Sequence, residues 1–375
     1  MKLFLIAGEP SGDRLGAALV AGLNALSPGI TFAGVGGPAM QAEGLSSLFP
    51  MQELSVMGIA EVIPKYFPLK RRIAEAAQAI LDSGAQALIT IDSPDFCLRV
   101  ARIVKTARPG FRTIHYVAPS VWAWRPGRAA RMAQVIDHVL ALLPFEPPLM
   151  TAAGMTCDFV GHPVVAEPLA TPVERAMMEG HGPLILTLPG SRRAEVTRLA
   201  PVIGAVLAQI RLRHPDLRVA LPTVLGVAGL VQDLTADWPV RPDIILDPAA
   251  KRAAFAAADV AIAASGTVSL ELAANDCPMV IAYAMNPVTM WLMRRAALID
   301  TVTLVNIVSD TRVVPEFIQG RCRADLIAPT VLSLLDDPQA RAAQEQAMAV
   351  TMERLGRGGE PPGLRAARSV LSHLA

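Results

Sequence analysis

The sequence predicts two doubly wound α/β domains, each with a parallel sheet covered by helices, followed by a helical tail. Three observations support this fold class. The chain has 375 residues, which suits about two domains. Short apolar runs alternate with longer helical patterns, as in parallel sheets whose strands are buried on both faces. A stretch rich in proline and glycine, 163–183, interrupts the alternation near the middle.

The first half of the chain alternates between strand and helix candidates. The apolar segment 2–7 predicts a first buried strand. Because parallel strands need long crossovers, the helical patterns that follow favour a parallel sheet. The further strand candidates are 31–35, 87–92, 112–118, 138–144 and 157–160, and the helix candidates between them are 14–26, 70–83 and 127–135.

The alternation restarts after the proline-rich stretch. Strands are predicted at 184–188, 218–221, 244–246, 260–263 and 279–283, helices at 191–214, 269–275 and 288–298, and tail helices at 325–335, 339–355 and 363–374. We therefore expect a first domain at 1–165, a linker at 166–183, a second domain at 184–345 and C-terminal helices at 346–375. A cleft between two such sheets is a natural ligand site.

The composition excludes several classes of protein. Hydrophobic residues make up 52% and charged residues 18%, whereas a disordered chain is poor in apolar residues. The formal net charge of +1 argues against a polycation that binds nucleic acid. No stretch offers the ~20 continuous apolar residues of a membrane span, and the N-terminal apolar run is too short for a signal peptide. We therefore expect a cytoplasmic protein.

The cysteine and histidine patterns indicate neither a disulfide framework nor a metal site. The four cysteines contain no C-x-x-C pair, and the six histidines contain no H-x-x-x-H motif. No Asp-x-Asp pair stands out as a pair of ligands for a divalent cation. The sequence therefore predicts a protein with no metal and no cofactor.

Acidic side chains follow two predicted strands of the first domain. Glu9, Ser11 and Asp13 lie in a glycine-containing turn after the first strand. These carboxylates suit sugar hydroxyls or acid–base chemistry, and Ser11 or Asp13 could instead cap the next helix. Asp92 closes a later strand, where an ionisable side chain faces the ligand crevice of an open α/β sheet. Asp95 could cap the helix that follows, so Asp92 is the stronger candidate for chemistry.

An aromatic and basic loop follows the strand predicted at 112–118. Trp122 and Trp124, two of the four tryptophans, lie there beside Arg125. Tryptophans in a core normally lie within strands or helices, whereas these two lie in a loop. The loop could contact a substrate, or its tryptophans could anchor it by packing. Both interpretations stay open.

Two small-residue turns in the second domain have the features of a nucleotide diphosphate site. Ser191 and Arg192 open a long helix, where backbone amides, the helix dipole and a guanidinium attract phosphate. Gly266 and Thr267 repeat this arrangement after a later strand. Glu271 lies one helical turn beyond Thr267 and can accept both hydroxyls of a ribose.

Two segments mix apolar, aromatic and basic side chains. Core packing is the default interpretation of each, although the surface of an anionic membrane would also suit them. An apolar chain without a spanning segment favours the membrane-surface interpretation slightly. The residues concerned are Val56, Met57, Ile59, Tyr66, Phe67, Lys70, Arg71 and Arg72 in the first domain and Trp291, Arg294 and Arg295 in the second.

Nine stretches, in order across nearly the whole chain, resemble the lipid-A-disaccharide synthase family, which are GT-B glycosyltransferases of family 19. The block at 115–125, with its two tryptophans and arginine, is the most distinctive. The matching stretches are 7–13 (AGEPSGD), 36–40 (GGPAM), 57–62 (MGIAEV), 91–96 (IDSPDF), 115–125 (HYVAPSVWAWR), 143–146 (LPFE), 188–192 (LPGSR), 264–267 (ASGT) and 277–280 (CPMV).

The resemblance implies a specific reaction and architecture. The family transfers 2,3-diacylglucosamine from UDP to the 6-hydroxyl of 2,3-diacylglucosamine 1-phosphate, with inversion, giving a β-1,6 disaccharide and UDP. It implies two domains that face a cleft, the first for the acceptor and the second for UDP, with C-terminal helices crossing back. Because both substrates carry acyl chains, it also implies a peripheral protein on the inner face of the inner membrane. A homodimer is left open.

The resemblance also suggests roles for individual residues. Asp92 is the candidate general base, and Glu9 and Asp13 are alternatives or orient the acceptor with Ser11. Arg192 and the amides near the two small-residue turns would stabilise the departing UDP in place of a metal. The other site residues implied are Asn306, Trp124 and Arg125 on the acceptor side or cleft, and Ser191, Gly266, Thr267 and Glu271 for UDP.

Two alternatives compete with this interpretation. Within the same fold, the chain could be a UDP-sugar epimerase or a peptidoglycan-type transferase. From another class, it could be a nucleotide-binding module at a membrane surface without catalysis. Substitution of Asp92 separates these classes, because only an enzyme would lose turnover.

Overall fold

The computed structural model describes residues 1–54, 59–286, 290 and 295–375, with the backbone alone at 59–66. The chain divides into two compact units. Unit 1 comprises Met1–Ala166 and Gly358–Ala375, and unit 2 comprises Glu167–Arg357. Each unit contains one parallel sheet with helices, as the alternating pattern predicts.

The sheet of unit 1 positions the first group of candidate residues. Its strands are β1 (Lys2–Ala7), β2 (Thr31–Val35), β3 (Ser46–Ser47), β4 (Ala87–Ile91), β5 (Arg112–Tyr116), β6 (His138–Ala141) and β7 (Thr156–Phe159). All described pairings are parallel, in the order β3-β2-β1-β4-β5-β6-β7. The strand order reverses between β1 and β4, which is where an open α/β sheet forms its ligand crevice.

The helices of unit 1 cover this sheet and often begin with proline. Proline at the first helical position loses no hydrogen bond and is pre-set for helical φ, so it marks several starts along this chain. The helices are α1 (Pro10–Leu26), α2 (Pro38–Ala42), α3 (Ile59–Asp82), α4 (Pro94–Ala107), α5 (Gly127–Met132) and α6 (Pro147–Ala152). The buried side chains of strands and helices form one apolar core.

Unit 2 repeats the architecture. Its strands are β8 (Leu184–Leu188), β9 (Arg218–Pro222), β10 (Asp243–Ile245), β11 (Val260–Ala263), β12 (Met279–Tyr283) and β13 (Glu316–Ile318), in the parallel order β10-β9-β8-β11-β12-β13. Its described helices are α7 (Pro172–Ala176), α8 (Arg193–Arg211), α9 (Ala228–Thr235), α10 (Pro248–Ala257), α11 (Val268–Ala274), α12 (Leu304–Ser309), α13 (Ala324–Asp336) and α14 (Pro338–Arg354). The order again reverses between β8 and β11.

The last helix, α15 (Pro362–Leu374), packs against α1 in unit 1. Glycines allow a close approach: a Cβ at Gly363 would lie 2.6 Å from the carbonyl oxygen of Ala18. The end of the chain is therefore part of the first core, whereas α14 stays with unit 2. The expected division at 346 differs from the division in the structure, which falls between Arg357 and Gly358.

Several boundaries differ from the sequence expectations for physical reasons. α1 begins at Pro10 rather than 14, because the glycine-containing turn is shorter than the pattern suggests. The strands β3 and β13 have two and three residues, too few to show a periodicity. The expected linker contains α7, which begins with a capping box between Thr171 and Glu174. The helix predicted at 288–298 lies mostly outside the described residues. Among those that are described, no helix has the length and apolar character needed to cross a membrane.

Candidate active site

The loops that follow β1, β4 and β5 meet at the carboxyl edge of the unit 1 sheet. The register pairs Ala7 with Ile91, and Ile91 with Tyr116. Asp92 comes next, half-buried, and its amide donates to the carbonyl oxygen of Tyr116 at 3.0 Å. Asp92 and Ser93 have positive φ angles of 52° and 44°. Non-glycine residues adopt positive φ angles infrequently, and such residues cluster at functional sites, which favours a role for Asp92.

A close approach brings the loop after β1 against the loop after β4. A Cβ at Gly8 would lie 2.4 Å from the Oγ of Ser93, so a larger residue does not fit there. Glu9 follows as the extended N-cap residue of α1, and Ser11 lies in the first turn; both are exposed. The structure thus brings Glu9 and Ser11 to the sheet edge that carries Asp92.

Asp13 is in the same turn but is buried, with 5% of its surface exposed. Its Oδ1 accepts hydrogen bonds from the amides of Gly37 at 2.8 Å and Met40 at 3.0 Å, and its Oδ2 accepts from Ala39 at 3.0 Å. These amides lie at the N-terminus of α2, where a carboxylate is favourable. The expectation that Ser11 or Asp13 caps α1 is wrong, because Asp13 holds the neighbouring helix instead. Its carboxylate is thereby engaged by the protein itself.

The loop 117–126 combines a buried and an accessible part. Trp122 donates its indole N–H to Oε1 of Glu146 at 3.1 Å. Arg125 has a positive φ of 51°, and its guanidinium lies 4.3 Å from the ring centroid of Trp124. Trp122 is therefore an anchor, whereas Arg125 is exposed beside a half-buried Trp124. The packing interpretation therefore holds for Trp122, and a substrate contact through Trp124 and Arg125 stays a prediction.

Glu146 is a residue that reasoning from the sequence alone did not single out. It is 3% exposed, and its Oε2 accepts the amide N–H of Leu143 at 3.0 Å. Burial raises the pKa of Glu146 to about 7, against the lowering effect of its hydrogen bonds. In the sequence, Glu146 ends the family-like stretch 143–146 and is an acid within an apolar, proline-rich stretch after a strand, but neither feature reveals the indole that it meets.

The unit 2 candidates line one cavity of about 490 Å³ at the carboxyl edge of β8, β9 and β11. The cavity contains all five residues predicted for UDP, Ser191, Arg192, Gly266, Thr267 and Glu271. Its other lining residues are Leu188, Gly190, Glu195, Pro222, Thr223, Val224, Lys251, Phe255, Ala264, Ser265 and Val268. Residues from turns 75 positions apart therefore form a single site, as the paired turns predict.

The start of α8 presents a guanidinium to this cavity. Arg192 is the N-cap residue, with 69% of its side chain exposed, and its Nη1 lies 3.0 Å from Oε1 of Glu195. Gly190 has a φ of 110°, and a Cβ there would lie 2.5 Å from Oε2 of Glu195. The glycine thus makes room for the acid that holds the arginine. An exposed guanidinium beside helix N-terminal amides is suited to phosphate oxygens.

The other wall of the cavity holds an ion pair that the sequence patterns did not reveal. The Nζ of Lys251 on α10 lies 2.6 Å from Oε2 of Glu271 on α11, and the two side chains are 45% and 29% exposed. Thr223, at the end of β9, contributes a buried hydroxyl that has no hydrogen-bond partner within the described part of the chain. Both features offer polar contacts to a ligand, and neither Lys251 nor Thr223 belongs to a glycine-rich motif that would mark it.

Asn306 does not lie where a cleft residue was expected. It is 1% exposed and is not among the residues that line the cavity. Its amide nitrogen donates to Thr301 Oγ1 at 3.2 Å and to the carbonyl of Val314 at 3.0 Å, and its Oδ1 accepts from the Val314 amide. In this structure Asn306 ties together the segment around α12, and its side chain is fully used there.

The residues of the mixed apolar and basic segments are only partly described. Phe67 is 78% exposed on α3, with Lys70 and Arg71 exposed beyond it. Arg72 is half-buried and pairs with Glu53 at 2.7 Å, so its role includes holding α3 in place. Arg295 is exposed. Val56, Met57, Trp291 and Arg294 lie outside the described residues, as do the side chains of Ile59 and Tyr66.

No group of three or more histidine, cysteine, aspartate or glutamate side chains within 1–54, 59–286, 290 and 295–375 is arranged to hold a metal ion. The polar groups of the unit 2 cavity are instead arginine, lysine, hydroxyl and amide donors with two carboxylates. Cationic and amide donors can stabilise a diphosphate directly.

Solved structures with low sequence identity share this fold. A UDP-GlcNAc 2-epimerase from Neisseria meningitidis, bound to UDP-GlcNAc, matches with a TM-score of 0.68 and 12% identity, covering 100% of this chain and 99% of that one. MurG from Acinetobacter baumannii matches with a TM-score of 0.56 and 16% identity, covering 100% and 98%. These similarities establish the fold, which is that of the GT-B glycosyltransferases and related epimerases.

Sequence relatives are much closer. The sequence model of a family described as lipid-A-disaccharide synthetase matches residues 3–361. Lipid-A-disaccharide synthase from Ruegeria pomeroyi is 61% identical over 388 residues, covering 100% of this chain and 96% of the relative. The enzyme of that name from Rhodospirillum centenum is 47% identical over 378 residues, covering 99% and 94%. The chain therefore belongs to the lipid-A-disaccharide synthase family, glycosyltransferases that condense two diacylglucosamine substrates into the lipid A disaccharide.

Proposed function

We propose that the unit 2 cavity binds the UDP of UDP-2,3-diacylglucosamine and that the carboxyl edge of unit 1 binds 2,3-diacylglucosamine 1-phosphate. The observation that carries this assignment is the single cavity that unites Arg192, Thr267 and Glu271. Arg192 and the α8 amides suit the diphosphate, and Glu271 suits the ribose hydroxyls. Because Lys251 already pairs with Glu271, ribose binding would reorganise that pair.

Asp92 is the general base in this proposal. As the 6-hydroxyl oxygen of the acceptor attacks the anomeric carbon, Asp92 takes the hydroxyl proton and the bond from that carbon to the UDP oxygen breaks. One displacement inverts the anomeric centre and gives the β-1,6 linkage. The charge that develops on UDP is met by Arg192 and backbone amides, which supply the stabilisation that a metal gives in other transferases.

Two roles, those of Asp13 and Asn306, differ from those expected from the sequence. Asp13 is assigned to holding α2, since three amides occupy its carboxylate. Asn306 is assigned to the loop it ties together. Glu9 and Ser11 stay as residues that orient the acceptor, because they are exposed beside Asp92 at the sheet edge.

The test is product formation with purified protein and both lipid substrates in detergent micelles containing EDTA. UDP and disaccharide should appear in equal amounts, and omission of the acceptor should abolish both. UDP release without acceptor would contradict the transferase proposal and favour hydrolysis or epimerase chemistry. Activity that returns only when magnesium replaces EDTA would contradict the metal-independent mechanism.

The exposed residues Phe67, Lys70 and Arg71 of α3 form the proposed membrane contact. Phe67 is largely exposed, with Lys70 and Arg71 nearby on the helix. An aromatic side chain beside basic ones suits the interface of an anionic bilayer, here the inner face of the inner membrane. Flotation with anionic vesicles should therefore carry more protein than flotation with zwitterionic ones, and Phe67→Ala should reduce the difference. Equal flotation of both variants would contradict this contact.

A further inference from the structure

A buried carboxylate joins two loops at the acceptor edge of unit 1. Glu146, after β6, accepts the indole N–H of Trp122 on Oε1 and the amide of Leu143 on Oε2. The ring of Phe145 meets the Trp122 ring edge-on, with centroids 5.4 Å apart and an interplanar angle of 85°. The indole is thus fixed by a polar contact and by an aromatic contact from the same short segment.

This contact acts on the loop that lies beside Asp92. The loop 117–126 starts directly after Tyr116, whose carbonyl accepts the Asp92 amide. Val117 at its start and Arg125 near its end both have positive φ angles, of 86° and 51°. A loop with two such residues needs outside contacts to hold one conformation. The hydrogen bond from Trp122 to Glu146 supplies one such contact near the middle of the loop.

A buried carboxylate is an unusual group for a contact that only packs two loops together. A carboxylate with 3% exposure is unfavourable unless it is well bonded, and an apolar residue in this place would avoid that desolvation. Burial raises the pKa of Glu146 to about 7, so its charge changes near neutral pH. The titratable group that faces it from β7 is Cys157, whose pKa is raised to about 12 by burial and by the Glu146 charge. Cys157 therefore stays a neutral thiol while Glu146 titrates.

We propose that Glu146 is a positioning residue whose carboxylate, through Trp122, holds the loop 117–126 in the conformation that receives the acceptor sugar beside Asp92. The proposal rests on the acceptor role assigned to unit 1. Glu146 does not itself touch the reacting atoms. When Glu146 loses its charge, the loop loosens and binding of the acceptor weakens. Binding at the UDP cavity in unit 2 is unaffected.

The first test is a fluorescence titration of the protein without substrates between pH 5 and 9. The emission of wild type should change with a midpoint near 7, because the group that accepts the Trp122 hydrogen bond is titrating. Glu146→Gln and Trp122→Phe should each remove this change. Phe145→Leu is the matched control, since it alters the aromatic contact but keeps the carboxylate, and its titration should persist. A wild-type emission that is flat over this range would overturn the proposal.

The second test measures both Michaelis constants of Glu146→Gln. In the wild-type geometry, a glutamine would place its oxygen on one of the two donors, Trp122 or the Leu143 amide, and its N–H₂ group against the other. One lost hydrogen bond to a charged group corresponds to about a tenfold rise in the acceptor KM, with the UDP-sugar KM unchanged. Glu146→Asp keeps the charge and should recover part of the loss. Equal rises of both constants in protein that unfolds at the wild-type temperature would overturn the proposal.

The two tests separate this proposal from the proposed function. If fluorescence titrates as described but no disaccharide forms from the two lipid substrates, the transferase assignment fails, and the acceptor role of this loop fails with it. If disaccharide forms and Glu146→Gln has the wild-type acceptor KM, only the positioning role fails.

Discussion

The two units use their acidic side chains in opposite ways. In unit 1, Asp13 and Glu146 are almost fully buried and accept hydrogen bonds from amides and an indole. In unit 2, Glu195 and Glu271 face the cavity in ion pairs with Arg192 and Lys251. Buried acids with fixed donors preorganise a surface, whereas partly exposed pairs can exchange partners when a ligand arrives. In the proposed function, the acceptor side would therefore depend on rigid loops and the donor side on exchangeable charges.

The largest effect should come from Asp92, the accessible carboxylate at the carboxyl edge of the unit 1 sheet. Asp92→Asn keeps the shape but cannot take the acceptor proton, so kcat should fall about 10²–10⁴-fold. Asp95→Asn is the matched control, because Asp95 is exposed in the first turn of α4 only three positions away. Single-turnover assays on both variants measure the difference. Equal rates for the two variants would remove Asp92 from the role of base.

The next largest effect should come from Arg192 in unit 2, where acidic side chains form ion pairs that can exchange partners. The Arg192 side chain is 69% exposed, so its pair with Glu195 contributes little by itself and Arg192→Ala should fold normally. Loss of charged hydrogen bonds to the diphosphate should raise the UDP-sugar KM and the inhibition constant of UDP about 10- to 100-fold. The KM and the inhibition constant of Arg192→Lys should lie between those of wild type and Arg192→Ala, because lysine keeps the charge but lacks the planar guanidinium.

Arg193 provides the control for this comparison. It is the next residue, exposed in the first turn of α8, and it does not line the cavity. Arg193→Ala should leave UDP inhibition within about twofold of wild type. A weakening by Arg193→Ala as large as that by Arg192→Ala would indicate a general effect of positive charge rather than a contact.

The comparison also explains what the sequence could and could not predict. The strands, the small-residue turns and the residues proposed for UDP follow local patterns, and the structure assembles those turns into one cavity. The role of Asp13 depends on amides 24 to 27 residues away, and that of Glu146 on an indole 24 residues away. A local pattern shows that a carboxylate lies at a strand end. It does not show whether the chain itself provides the donors.

Asp13 should affect stability rather than turnover. Asp13→Asn replaces one acceptor oxygen with an N–H₂ group that faces buried amides, which should lower the free energy of unfolding by about 3 kcal/mol. Urea unfolding, followed through Trp122 and Trp124 in a background with Trp238→Phe and Trp291→Phe, measures this loss in unit 1. Glu9→Gln, an exposed carboxylate in the same turn, should change it by less than about 0.5 kcal/mol. A drop in kcat of correctly folded Asp13→Asn as large as that of Asp92→Asn would instead support a chemical role.

The smallest effect concerns the contact that holds the last helix on unit 1. His138 on β6 is 3% exposed, and its Nε2 lies 2.8 Å from Oγ of Ser369 on α15. Ser369 gives its one hydrogen to Asp158, so the Nε2 of His138 is the donor to Ser369. The His373 ring stacks on His138 with centroids 4.6 Å apart. His138 therefore links β6 to α15 through its Nε2–H and its ring.

Acid should weaken this junction. Burial lowers the pKa of His138 to about 4, with the charge of His373 acting in the same direction and Asp158 opposing it. Because the unfolded histidine has its ordinary pKa near 6.5, the unfolded state binds the proton first as the pH falls. Unit 1 should thus lose stability between pH 6.5 and 4, and His138→Asn should show a shallower loss. Ser369→Ala is the control: it keeps the titrating ring, so its stability should be lower at every pH with the wild-type slope. If the unfolding free energy of His138→Asn fell with pH at the wild-type slope, other histidines of unit 1 would carry the acid response. Burial also lowers the pKa values of His115 and His162 to about 4, so these two are the candidates.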